Sequence, residues 1–203
     1  MTENTDAIIV EKVKKGDKEA YRHLVMRYQQ KLFQTCIGFL QNETDAEDLT
    51  QEIFIKAYQK IESFRFQAAF STWLYRISVN TCVNFLRKQK VKRLLFLDSG
   101  NQSKESFGVS EPADSATERE EQRRMLRTAL KELTLMQRKV FILSQYRELS
   151  NKETAEILEI TEKAVESLLF RARVKMQKVI KEKMNSNIAP TGRYQQHRAE
   201  PYG

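Results

Sequence analysis

Apolar residues recur at helical spacing over most of the chain, and the interruptions fall at helix-capping signals rather than at prolines. Tyr21, Leu24, Val25, Tyr28, Leu32 and Phe33 share one stripe of a helix that Asp17 can cap and that runs to about Leu40. Thr44 and Glu47 have the spacing of a capping box, after which Leu49, Ile53, Ala57 and Ile61 continue an apolar face. A further helix starts at Ser71 and ends in the basic run RKQKVKR at 87–93. Residues 98–117 (DSGNQSKESFGVSEPADSAT) offer too little apolar surface to fold alone and read as a linker. Three more capping boxes, Ser115 with Glu118, Thr134 with Gln137 and Ser150 with Glu153, predict helices over about 116–133, 135–147 and 151–158. A last helix over about 162–183 follows after only Glu159, Ile160 and Thr161, a spacing that fits a helix-turn-helix. Beyond Met184 the periodicity stops, which predicts a disordered tail over 185–203.

Composition supports an all-α chain of two small helical blocks. It has 203 residues, 40% hydrophobic and 31% charged, and its three prolines, Pro112, Pro190 and Pro201, lie outside the periodic stretches. No run approaches the roughly 18 apolar residues of a membrane span, and the first residues lack a basic-then-apolar leader. The expectation is a cytoplasmic protein without membrane insertion. Cys36 and Cys82 sit inside apolar runs and read as buried free thiols, while His23 and His197 have no neighbours that would complete a metal site. The chain has no glycine-rich phosphate loop, no GxSxG and no HExxH, so it reads as a binding protein rather than an enzyme, with no cofactor and no metal.

Charge adds three candidate surfaces to a chain whose net charge is +8. In the 150–173 stretch, Ala155 is small where two helices must cross, and Leu158, Ile160, Val165 and Leu168 can pack them together. The remaining face of the last helix presents Glu162, Lys163, Glu166, Ser167, Phe170 and Arg171, and basic residues including Arg173 follow, which suits a DNA major groove. The alternative is a plain helical hairpin with a solvated face, and Glu159 stands where glycine is commoner in such a turn. On the 71–88 helix, Trp73, Arg76, Asn80, Asn84 and Arg87 fall within an arc of about 80°, opposite Tyr75, Val79, Cys82, Val83 and Leu86. An edge that is aromatic, amide and cationic together suits single-stranded nucleic acid. Phe64, Arg65, Phe66 and Phe70 precede it in a loop, where the rings are either core or base-stacking surface. The third surface is acidic: Asp48, Gln51, Glu52, Ile55 and Gln59 share a face in a segment that also carries Asp45 and Glu47. It is either a solvated charge run or a docking site for a basic protein surface.

The segments KGDKEAYRHLVMRY, DAEDLTQEIFIKAYQ, FRF…FSTWLYRISVN and SNKETAEIL…AVESLLFRAR, in that order, resemble the extracytoplasmic-function group of sigma-70 RNA polymerase sigma factors over about residues 7–180. The resemblance implies a region 2 domain at 7–96, a linker at 97–117, a region 4 domain at 118–184 and an unmatched tail at 185–203. It implies that the acidic face (Asp48, Gln51, Glu52, Ile55, Gln59) docks on core polymerase. Phe64, Arg65, Trp73, Arg76, Asn80, Asn84, Arg87 and Lys88 would contact the promoter −10 element, with a flipped base held in the loop. Lys163, Glu166, Ser167, Phe170, Arg171 and Arg173 would read the −35 element. It also implies promoter DNA and an anti-sigma factor as partners. Glu166 and Leu168 depart from the basic residue many family members carry in the recognition helix, which leaves the −35 sequence open. The reading from another class is a helix-turn-helix regulator that binds duplex DNA without polymerase.

Overall fold

Asp17 caps the second helix as its sequence predicts: its carboxylate accepts the Ala20 amide at 3.0 Å, and the helix runs Lys18–Leu40. The computed structural model describes residues 2–98 and 118–188, and every regular element among them is helical. In chain order these are α1 (Thr2–Lys14), α2 (Lys18–Leu40), α3 (Glu43–Lys60), a 3₁₀ turn (Ile61–Ser63), α4 (Phe70–Asp98), α5 (Glu118–Glu132), α6 (Leu135–Phe141), a π turn (Ile142–Tyr146), α7 (Asn151–Leu158) and α8 (Glu162–Ile188). His197, the Ser115 capping position, the linker beyond Asp98 and the tail beyond Ile188 lie outside the described residues.

Several boundaries differ from expectation for identifiable reasons. The helix after α2 is capped by Asn42, whose side-chain oxygen accepts the Asp45 amide at 2.9 Å, so Thr44 lies within the first turn instead of forming the capping box with Glu47. The break that frees Asn42 is Gln41, left-handed at φ 57°, whose side-chain amide donates to the carbonyls of Ile37 and Gly38 at 3.0 and 2.7 Å. α4 starts one residue before Ser71 and continues through the basic run to Asp98, into the segment read as linker. The stretch read as one helix over 135–147 is α6 followed by the wider π turn. α8 extends four residues past Met184. The N-terminal helix α1 was not anticipated. It buries Val10 and Val13 against the first core and inserts Asp6, 2% exposed, where Arg27 forms an ion pair with it and the Tyr28 hydroxyl donates to it. A buried carboxylate needs such partners to offset its lost hydration.

Both remaining capping boxes form. Thr134 and Gln137 exchange hydrogen bonds at 3.0 and 3.3 Å, and Ser150 and Glu153 do so at 2.9 and 3.2 Å. α7 ends because Glu159 is left-handed, φ 57° and ψ 44°, the conformation its place in the turn requires. In the C-terminal block, Ala129, Leu130, Leu133, Ala172 and Met176 join α5 to α8, and Val140, Ala155, Val165 and Leu169 join α6, α7 and α8.

The two blocks also pack on each other. Ile142, Leu143 and Ile157 are buried in the same core as Leu24, Leu32, Cys36, Phe39, Leu49, Ile53 and Val79 of the N-terminal helices. Gly38 makes room for this contact, since a Cβ there would stand 3.0 Å from Cγ2 of Ile142.

Candidate nucleic-acid and protein interfaces

The loop between the 3₁₀ turn and α4 is an aromatic platform anchored from α1. Phe64 is buried, with its ring 4.8 Å from Phe66, 5.8 Å from Phe70 and 5.4 Å from Trp73. Lys14 of α1 donates to the Phe64 carbonyl at 2.6 Å and places its ammonium 5.1 Å from the Phe66 ring centre. Phe66 is left-handed at φ 56°, a backbone state that costs an aromatic residue roughly 1–2 kcal/mol and that these contacts offset. Phe70 is core, whereas Phe66 is 43% exposed and lies on the surface. Trp73 is half-buried: it packs against Phe64 and Phe70 and lines an open pocket of about 130 Å³ together with Arg65, Gln67 and Arg76. Phe64 enters this pocket as a buried wall rather than as a free ring.

Further along α4, Asn80, Asn84, Arg87 and Lys88 are exposed, while Tyr75, Val79, Cys82 and Val83 on the other side are buried. Neither asparagine makes a hydrogen bond among the described residues. The predicted edge therefore stands on the surface, with its tryptophan held by the core. Arg76 is different. Its guanidinium donates to the Glu156 carbonyl of α7 at 3.1 and 2.6 Å and lies 3.4 Å from the Glu159 carboxylate. A second cavity, of about 100 Å³, lies between Arg76 and Asn80 on one side and Lys139 and the end of α7 on the other.

On α8, Lys163, Glu166, Phe170, Arg171 and Arg173 are exposed and Ser167 is half-buried, opposite the buried Val165, Leu169, Ala172 and Met176. Arg171 donates to the Ser167 hydroxyl at 2.9 Å. Among the described residues, Glu166 accepts a long 3.4 Å bond from Asn151 of α7 and makes no ion pair with Lys163. Sequence reasoning missed Val174, 50% exposed and one turn beyond Phe170 on the same face; the i, i+4 spacing was the available signal.

The acidic face of α3 is as predicted. Asp48, Gln51, Glu52, Ile55 and Gln59 are exposed, Glu52 pairs with Lys56, and Leu49, Ile53 and Ala57 are buried beneath them. Ile55 is 58% exposed among polar side chains, a placement that favours a protein contact over a solvated charge run. Tyr58, stacked edge-on to Tyr21 at 4.9 Å, adds an aromatic that the sequence reading passed over.

Among the described residues no three His, Cys, Asp or Glu side chains gather as a metal site, and no helix is long and apolar enough to cross a membrane. Cys36 and Cys82 are free and buried, with their sulfurs 3.8 Å apart; the hydrogen bond from Cys82 lowers the Cys36 thiol pKa and raises its own.

Comparison with known proteins matches Sigma-70 region 2 to residues 24–91 and Sigma-70, region 4 to residues 123–176. The ECF RNA polymerase sigma-E factor of Haemophilus influenzae is 37% identical over 175 residues, covering 83% of this chain and 92% of that protein. SigW, an ECF RNA polymerase sigma factor of Bacillus subtilis, is 34% identical over 181 residues, covering 85% of this chain and 95% of that one. Among solved structures, CnrH in complex with the cytosolic domain of CnrY shares the fold, with a TM-score of 0.65, 24% identity and coverage of 86% of this chain and 96% of that chain.

Proposed function

The chain belongs to the extracytoplasmic-function group of RNA polymerase sigma factors and directs promoter-specific initiation by core polymerase; from that premise we propose which of its residues do the work. The helices α1–α4 form the region 2 domain and α5–α8 the region 4 domain. The acidic face of α3, centred on Ile55, docks on core polymerase, where basic partner groups complement Asp48 and Glu52. α8 lies in the major groove of the −35 element, with Lys163, Arg171 and Arg173 setting register on phosphates and Glu166, Ser167 and Phe170 facing base edges.

The α4 edge captures the −10 element once its strands part. Trp73 offers a stacking surface beside the pocket, Asn80 and Asn84 present amide donors and acceptors, and Arg65, Arg76, Arg87 and Lys88 hold the backbone. A base leaving the duplex loses its stacked neighbours, and the Phe64–Trp73 pocket replaces part of that loss. Neither domain needs high affinity alone, because polymerase presents both at once and linked weak sites act as one. The observation that carries this assignment is the exposed amide pair in line with a tryptophan fixed on the core. The nucleotidyl chemistry belongs to the polymerase, and the factor works in the cytoplasm, where core polymerase is. The sigma factor RpoE from Bartonella quintana was solved in complex with the anti-sigma factor NepR, and a protein of that kind is the proposed third partner.

Purified chain added to core polymerase, with transcripts mapped from fragmented genomic DNA of the source cell, tests the reading. Discrete start sites that need the chain support it. Retained duplex binding with no polymerase-dependent start favours the simple regulator.

A further inference from the structure

We propose that Lys14 of α1 is a positioning residue for −10 readout: from outside the base pocket, it holds the loop after the 3₁₀ turn in the shape that makes that pocket. The proposal rests on the assignment of this loop to the −10 element, but the brace itself is present in the free molecule.

The pocket beside Trp73 is built around a chain reversal. Phe64 and Arg65 line it from before Phe66, and Gln67 and Ala68 line it from after, while Phe66 itself does not. The residue at the reversal is left-handed, with φ 56°. Glycine takes that backbone state freely, whereas a phenylalanine there crowds its Cβ against the following carbonyl. Without a restraint, Phe66 favours an ordinary backbone state, and Arg65 and Gln67 then no longer converge with Trp73 on one cavity. Burial is not the restraint, because Phe66 is 43% exposed.

Lys14 supplies it. The ammonium donates to the Phe64 carbonyl at 2.6 Å and to the Glu62 carbonyl at 3.3 Å, and it stands 5.1 Å from the centre of the Phe66 ring. Two carbonyls before the reversal and the ring at the reversal are thus tied to one cation. The half-buried lysine stem is itself fixed. Val10 and Val13 bury α1 in the core, Arg27 and Tyr28 of α2 hold Asp6, and Gly16, at φ 96°, lets the chain turn into α2 just beyond Lys14. α1, which offers no proposed contact to DNA or polymerase, therefore carries the rigidity of the N-terminal core into the pocket. A loop already in its binding shape loses less freedom when a base enters.

Lys14→Met tests this, because it keeps an unbranched apolar stem and removes the donor and the charge. Full-length variants assembled with core polymerase are titrated by anisotropy against labelled fork DNA. The fork carries, unpaired, the −10 element of a promoter that the wild type transcribes, either intact or with an abasic site at each position in turn. Lys14→Met is expected to bind intact DNA about five- to thirtyfold more weakly, the fraction of competent loop lost when a left-handed non-glycine residue is released. That deficit should vanish at one abasic position, the base the pocket holds. Lys14→Arg, which keeps a cation and donors, should restore most of the affinity. In a Phe66→Gly background, Lys14→Met should cost no more than about twofold, since glycine holds the reversal unaided.

Three results would overturn the brace: unchanged affinity of Lys14→Met, a deficit equal at every abasic position and in the Phe66→Gly background, or a salt slope reduced by about one, which marks a direct phosphate contact. Circular dichroism melting identifies a deficit that comes only from loss of α1. Trp73→Ala is scored on the same DNA. A Trp73 effect without a Lys14 effect sinks the brace alone, whereas indifference of the wild type to every abasic site, with Trp73→Ala neutral, sinks the −10 assignment and the brace with it.

Discussion

Trp73 carries more of the proposed mechanism than any other side chain because its ring is placed before DNA arrives. Phe64 and Phe70 hold it at 5.4 and 5.7 Å between ring centres, so little ordering cost remains when a base stacks on its free surface. Trp73→Ala is expected to remove about 1–3 kcal/mol of open-complex stabilisation, the usual worth of one base–aromatic stack. The lifetime of heparin-resistant complexes measures it, with a melting curve of the free protein as control for lost packing; an unchanged lifetime would remove Trp73 from the base-binding edge. Glu166 calls for a different experiment. Its single partner among the described residues, Asn151 at 3.4 Å, is a weak hold, and a carboxylate can accept from a cytosine amino group. Glu166→Ala is expected to reorder preference among −35 variants in a competitive binding selection, whereas a uniform loss across all variants would make Glu166 a support for Asn151 and nothing more.

At the scale of elements, each proposed interface is the outer face of a helix whose inner face is core, so binding residues inherit the rigidity of the packing. α4 illustrates this, with Val79 and Cys82 buried and Asn80 and Asn84 exposed on the same two turns. The helix-turn-helix depends on its caps. Ser150 accepts the Glu153 amide and Glu153 returns a bond to the Ser150 amide, fixing where α7 begins relative to α8. Ser150→Ala is expected to cost about 1 kcal/mol, as capping losses usually do. Chemical denaturation would read this as a lower midpoint with an unchanged slope, and no shift at all would mean that Glu153 holds the helix start unaided.

Over the whole molecule, stability is expected to fall in alkali. Tyr21 and Tyr28 have phenol pKa values raised far above the ordinary 10, in each case chiefly by burial, with the Asp6 carboxylate adding to the effect at Tyr28. Above pH 10 the unfolded chain releases these protons while the folded chain keeps them, so the unfolded state binds fewer protons and unfolding becomes easier as pH rises. This contribution is fully present below about pH 10 and is lost through the range above it. Urea titrations at pH 8, 10 and 11 should give falling midpoints, with Tyr28→Phe flattening the trend; a flat wild-type profile would mean the phenols ionise freely. Charge is also divided across the molecule, acidic on α3 and basic along the second half of α8, which keeps the proposed polymerase face from competing for phosphate.

Local chemistry determined what the sequence could reveal alone. Helix periodicity and caps depend on residues three or four apart, so α2, α7, the helix-turn-helix and the two faces of α4 were legible, as were the exposed residues on α3 and α8. Where two local signals competed, the prediction slipped: Asn42 took the capping role assigned to Thr44, and the basic run did not end α4. α1 was missed because its short β-branched run IIV has weak helix propensity and forms only through contacts with α2 and the 62–64 segment. Only tertiary structure decided that Phe64 and Phe70 are core while Phe66 is exposed, that Cys36 meets Cys82, and that Arg76 caps α7. Those outcomes depend on groups tens of residues apart, and the order of polar and apolar positions along a chain does not encode which distant partner a side chain meets.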